Sequence, residues 1–137
     1  MTRFEWPVRV YWEDTDGGGI VYHSNYLAFM ERARSEWLRT LGVDQHGLRE
    51  RERVQFAVVE MQLRWLRAAR YDDLLHATVE VLEQGGATLR FAQTVRRGDE
   101  LLVDARVRVA AVDADTLRPR RLPPAIVALF GNGTRSA

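Results

Sequence analysis

A chain of 137 residues, 46% hydrophobic and 28% charged, has room for one ordinary globular domain with a core of its own. The absence of cysteine excludes a disulfide scaffold, a thiolate zinc site and a thiol nucleophile. All 20 basic residues are arginine, which excludes Schiff-base and P-loop lysine chemistry, and 19 acidic residues spread among them leave no basic block to suggest nucleic acid.

The opening Met1–Pro7 carries charges and no apolar h-region, so no classical secretory leader is expected. No apolar run approaches the roughly 20 residues that span a bilayer. The expected compartment is the cytoplasm. Val8 to Trp12 alternates and is β-rich, which predicts a first strand. Glu13 to Gly19 follows as a loop of turn formers ending in three glycines. A helix is then predicted from near His23-Ser24-Asn25, with Ser24 or Asn25 as its N-cap. Tyr26, Met30, Ala33, Trp37 and Leu41 recur at helical spacing, and Gly42 stops the run after about five turns.

Asp44 to Arg53 reads as a polar connector. Strands follow at 54–67, around 77–82, at 88–96 and at 101–112, separated by Gln84-Gly85-Gly86 and Arg97-Gly98-Asp99-Glu100. Such short turns mean antiparallel hairpins. The tail from Leu117 to Leu129 carries Pro119, Pro123 and Pro124 and has room for a short helix, and residues from Gly131 onward are expected to fray. One long helix with an antiparallel sheet is an α+β domain, and its edge strands favour pairing between copies.

The densest chemistry lies between Glu13 and Asn25. Asp, Thr and Gly are ordinary turn residues, and that alone would explain most such loops. Here three adjacent glycines allow close backbone approach by a ligand. They lead into a helix N-terminus, where free N–H groups polarise a carbonyl or hold an anion. A carboxylate just upstream, facing such donors, is what acyl transfer needs. Competing motifs fail on spacing. The Asp14-x-Asp16-x-Gly18 start of a calcium loop lacks its closing glutamate, with Asn25 in that place. Tyr22 stands where a dinucleotide loop needs its third glycine. His23, His46 and His76 have no metal-ligand spacing, so no metal is expected.

The run from Tyr11 to Arg34, YWEDTDGGGIVYHSNYLAFMERAR, resembles the 4-hydroxybenzoyl-CoA thioesterase family, most closely its YbgC-type acyl-CoA thioesterases associated with the Tol-Pal cluster. The strand order and the Leu122-Pro123 tail agree with it. The resemblance implies a single hot-dog domain: a five-stranded antiparallel sheet wrapped around one long helix, paired into a homodimer or homotetramer. It implies hydrolysis of acyl-CoA, with coenzyme A a part of the substrate and no separate cofactor. The family's catalytic carboxylate falls on Asp16. Its carbonyl-polarising N–H falls on or beside His23, whose side chain has an open role. Gly19, Tyr22 and Tyr26 are the expected substrate-binding positions. Asp14 reads as a structural partner of the loop, and Glu31, Arg32 and Arg34 as helix-surface ion pairs. Arg64, Arg67, Arg96 and Arg97 are candidates for the phosphates of coenzyme A. The rival readings are a hot-dog domain that binds acyl-CoA or a protein without turnover, and a dehydratase, which would want a His/Asp pair absent from the helix.

Overall fold

Alternating apolar side chains build five strands: β1 (Phe4–Arg9), β2 (Val54–Trp65), β3 (Leu74–Gln84), β4 (Thr88–Arg97) and β5 (Glu100–Asp113). The computed structural model, which describes residues 3–129, joins them in one antiparallel sheet of order β1-β3-β4-β5-β2. Three helices accompany the sheet among the described residues: α1 (Asn25–Thr40), α2 (Gln45–Glu52) and the short α3 (Pro124–Val127). This is the α+β hot-dog arrangement expected from the sequence.

The turns follow from their residues. Arg97 pairs with Glu100 across the two-residue loop Gly98-Asp99, and Gly98 has a φ of 59°. A glycine with positive φ at the first loop position matches the twist of an antiparallel hairpin. At the end of α1, Gly42 adopts φ 78°, its N–H donates to the Arg39 carbonyl, and the Val43 N–H donates to the Leu38 carbonyl. That pair of bonds is a Schellman stop, and the buried Val43 completes it.

α1 lies on the sheet through its apolar stripe. Tyr26, Phe29, Met30, Ala33 and Trp37 are all buried, and Trp37 meets Phe91 of β4 edge to face at 5.4 Å. One polar side chain sits inside this interface. Gln93 is fully buried, and its Nε2 donates to the Met30 carbonyl at 3.1 Å and the Thr78 carbonyl at 3.2 Å. Its Oε1 accepts from Arg34 at 2.7 Å, so both ends of the amide are satisfied. Arg34 is therefore no surface ion pair, as expected above, but a largely enclosed cation whose pKa is lowered by burial.

Four further expectations need correction. The first strand runs from Phe4 to Arg9, not from Val8 to Trp12, and Trp12–Asp14 is a turn of 3-10 helix. Pro7 is tolerated because β1 is an edge strand, where a missing N–H breaks no ladder. The polar connector is in part a helix, α2, which buries only Gly47 and Leu48 and so shows no apolar stripe. At the start of α1, Ser24 is the N-cap residue but makes no side-chain cap, and the Asn25 side chain is engaged elsewhere. α1 spans 16 residues, a little shorter than predicted. The fraying expected from Gly131 onward lies outside the described residues.

Candidate active site

The loop between β1 and α1 is organised by Asp14. Its carboxylate accepts the Tyr11 N–H at 2.9 Å through Oδ2 and the Asn25 side-chain amide at 3.0 Å through Oδ1. Its carbonyl accepts the Tyr22 N–H at 2.9 Å. Asp14 is 8% exposed, and these bonds satisfy a carboxylate that burial would otherwise penalise. The structural role expected for it fits this placement.

Asp16 stands two residues on and faces solvent. Its N–H donates to the Ile20 carbonyl at 2.9 Å, and its carbonyl accepts the Gly19 N–H at 3.1 Å. These bonds close a tight reversal, flanked by the bridge between Thr15 and Val21. Gly19 takes φ 81° to complete it, a conformation that glycine adopts without cost. The Asp16 Oδ1 accepts the Gly18 N–H at 2.7 Å, which fixes the carboxylate's direction. A side chain at Gly18 would stand 3.2 Å from that oxygen, so the small residue keeps the carboxylate in place.

The chain then enters the first turn of α1. No hydrogen bond engages the backbone N–H of His23 among the described residues. It precedes a 16-residue helix, so the helix dipole adds to its pull on a negative or polarised oxygen. The His23 ring is exposed, 4.4 Å from the Tyr22 ring and 6.1 Å from that of Trp65.

Opposite this turn lies the segment that leaves β2. Asp16, His23 and Tyr26 share an open cleft of about 370 Å³ with Trp65, Arg67 and Ala68. The wall is pinned at Ala69, which is fully buried. Its N–H donates to the Tyr26 hydroxyl and its carbonyl accepts the Val21 N–H, each at 2.9 Å. Burial raises the Tyr26 phenol's pKa, against a smaller opposing effect of the Ala69 hydrogen bond. Arg97 holds the same segment from the other side. It bonds the Ala68 carbonyl at 3.2 Å, Asp73 at 2.7 Å and Glu100 at 2.7 Å. Burial alone would raise the Asp73 pKa, but the Arg70 N–H and the Arg97 guanidinium together outweigh it and hold the carboxyl below its usual value.

The structure therefore brings Asp16, His23 and Tyr26 to one cleft, although Tyr26 is 2% exposed and belongs mainly to its floor. Tyr22 is 46% exposed and its ring lies against that of His23 at an interplanar angle of 43°. Gly19 shapes the turn through its backbone. The contributions of Trp65 and Ala68 have no signal in the sequence, and Arg67 stands there only among four candidates for the phosphates, because the segment is distant from the loop along the chain and carries no local motif. Among the described residues, no group of three His, Asp or Glu side chains is placed to hold a metal.

A family model described as the thioesterase superfamily matches residues 18–107. The chain belongs to the thioesterase superfamily. It is 46% identical over 127 residues to the acyl-CoA thioesterase YbgC of Haemophilus influenzae, covering 93% of both chains. It is also 46% identical over 130 residues to the acyl-CoA thioester hydrolase YbgC of Escherichia coli O6:H1, covering 94% of this chain and 96% of the relative. Among solved structures it resembles the "Probable Thioesterase" of Bartonella henselae, with a TM-score of 0.85, 37% identity, and coverage of 89% of this chain and 100% of the other.

Two predictions follow from the cleft of this thioesterase. Tyr26→Phe leaves the buried Ala69 N–H unpaired and is expected to cost about 1–3 kcal/mol, read from the denaturant midpoint. The second concerns pH. A carboxyl whose folded pKa is depressed stabilises the fold above its unfolded pKa, and that contribution is lost as pH falls through the folded value. Asp73→Asn should therefore flatten the decline in stability below about pH 4. An unchanged pH profile would remove Asp73 from the wall's support.

Proposed function

We propose that this protein hydrolyses small acyl-coenzyme A thioesters, short-chain aliphatic or aromatic, with Asp16 as its catalytic carboxylate. The observation that carries the reading is that Asp16 and the chain entering α1 line one cleft, and the His23 N–H, just ahead of the helix, has no partner among the described residues. The thioester carbonyl accepts that N–H, and the helix dipole stabilises the oxygen as it gains charge. Asp16 either attacks the carbonyl carbon, giving a mixed anhydride that water then cleaves, or deprotonates an attacking water. Both routes release free acid and coenzyme A. The His23 imidazole stands near the same point and is available to the leaving thiolate, while its backbone role is the primary one. Tyr26 floors the cleft, while Gly19 acts through the turn that aims Asp16 and Tyr22 through its contact with the His23 ring.

The relatives' names support the activity class, and the cytoplasm is the compartment proposed for it. No helix among the described residues is long and apolar enough to cross a membrane. Pairing of copies belongs to the same proposal. β2 is an edge strand of 12 residues with Val58 and Val59 about half exposed, at 48% and 49%. A second β2 pairing with it would cover these side chains and remove the open edge. The expected solution mass is that of a homodimer or a homotetramer, and a monomer at working concentration would overturn the pairing.

The activity is tested by thiol release from a panel of acyl-CoAs, acetyl through palmitoyl and including hydroxybenzoyl. Asp16→Asn is expected to fold normally and to lose about 10²- to 10⁴-fold in turnover. Wild-type rates in that variant would refute the assignment. Single turnover in oxygen-18 water separates the routes, since label entering the Asp16 carboxylate identifies it as the nucleophile. A folded wild type that releases no thiol but is protected against heat by acyl-CoA would favour the non-catalytic binding domain.

A further inference from the structure

We infer that Arg67 is the side chain by which the cleft grips a phosphate of the coenzyme A carrier. The inference rests on the acyl-CoA reading above and names its recognition element. A substrate of this class carries its negative charge on phosphates, and a guanidinium matches a phosphate with two parallel hydrogen bonds.

Four arginines were candidates by sequence, and their surroundings separate them. Arg97 is committed: it bonds Ala68, Asp73 and Glu100 and holds the cleft wall. Arg96 lies opposite His76 in the β3–β4 register and does not line the cleft that contains Asp16. Arg64 lies opposite Asp104 and alternates with Leu63 and Trp65, which puts it on the other face of β2 from the side that meets His23. Arg67 alone among the four lines the cleft that contains Asp16.

Its partner is loosely held. The Glu100 Oε1 accepts both Arg97 Nε at 3.1 Å and Arg97 Nη2 at 2.7 Å, while Arg67 meets only Oε2, at 3.5 Å. The Arg67 side chain is 67% exposed. An exposed pair of this kind contributes about 1 kcal/mol or less, so a phosphate displaces it at little cost. Arg97 keeps Glu100 anchored when Arg67 leaves. Trp65 and Leu66, 49% and 42% exposed, precede Arg67 and offer an apolar strip for the uncharged pantetheine arm.

The test places one acyl group on two carriers, coenzyme A and pantetheine, and measures both with wild type and Arg67→Ala. Pantetheine has the thiol arm without the phosphates. The expected result is that the ratio of KM for acyl-CoA to KM for acyl-pantetheine rises about tenfold in Arg67→Ala, with Arg67→Lys intermediate. A ratio that stays constant would overturn the assignment. If the wild type cleaves neither substrate, the catalytic proposal fails, but Arg67 can still be judged by calorimetric titration with coenzyme A itself. Binding weakened about tenfold by Arg67→Ala, and weakened further by salt in the wild type only, supports the site. Equal affinities for the two proteins would refute it. A thermal melt of each variant shows that the comparison is made between folded proteins.

Discussion

Three segments meet at Asp14. Its carboxylate holds the backbone that follows β1 and the first side chain of α1, and its carbonyl holds Tyr22. A buried carboxylate is tolerable only when its lone pairs are filled, and here the donors are groups that a turn and a helix start would otherwise leave unsatisfied. The same bonds thus stabilise Asp14 and fix the separation between the ends of the glycine loop. Asp16 inherits its position from them. Its own carboxylate makes one backbone hydrogen bond and otherwise faces solvent, which leaves it open to a reactant. The two acids of the Asp-Thr-Asp run divide the work, one structural and one exposed.

The cleft has a second support, independent of the loop. Ala69 is held by its N–H to a helix side chain and by its carbonyl to the chain entering that helix. The wall beyond β2 and the start of α1 therefore keep their spacing without direct ion pairing across the cleft. Arg97, Asp73 and Glu100 brace this wall from outside. Most polar groups that shape the cleft are consumed in shaping it, and the solvent-facing Asp16 carboxylate, the His23 N–H and the loosely paired Arg67 are the ones assigned to chemistry and recognition.

The sequence made some of this legible and hid the rest for physical reasons. α1 was readable because Tyr26, Met30, Ala33 and Trp37 must share one face to be buried, which writes a period into the chain. β4 and β5 were readable from their alternation and from Gly98 between them. α2 was not, since a helix that buries only Gly47 and Leu48 leaves no such period. β1 was displaced because Tyr11 and Trp12 look like strand residues, although Trp12 is 70% exposed and stands on Tyr71. At the site, the loop and helix start lie within a dozen residues and were found together. The opposite wall was invisible, because hydrogen bonds from Ala69 to Tyr26 and Val21 span more than forty positions and depend on backbone groups that every residue carries. Arg34 was misread for a similar reason. Its partner, Gln93, is on a strand 59 residues away.

The strand order has a consequence for how the molecule is made. β1 lies at one edge beside β3, and β2 lies at the other beside β5, so neither of the first two strands neighbours the other. A chain growing from its N-terminus presents Asp16, the glycine turn and the whole of α1 before any residue of β3, β4 or β5 has been synthesised. The apolar stripe of α1 then waits for the meander that covers it, β2 waits for β5, and β1 pairs across the longer stretch of chain, with β3. Contacts so distant in sequence close late. The loop and helix that carry Asp16 and His23 are thus translated early and enclosed only after β3, β4 and β5 have followed.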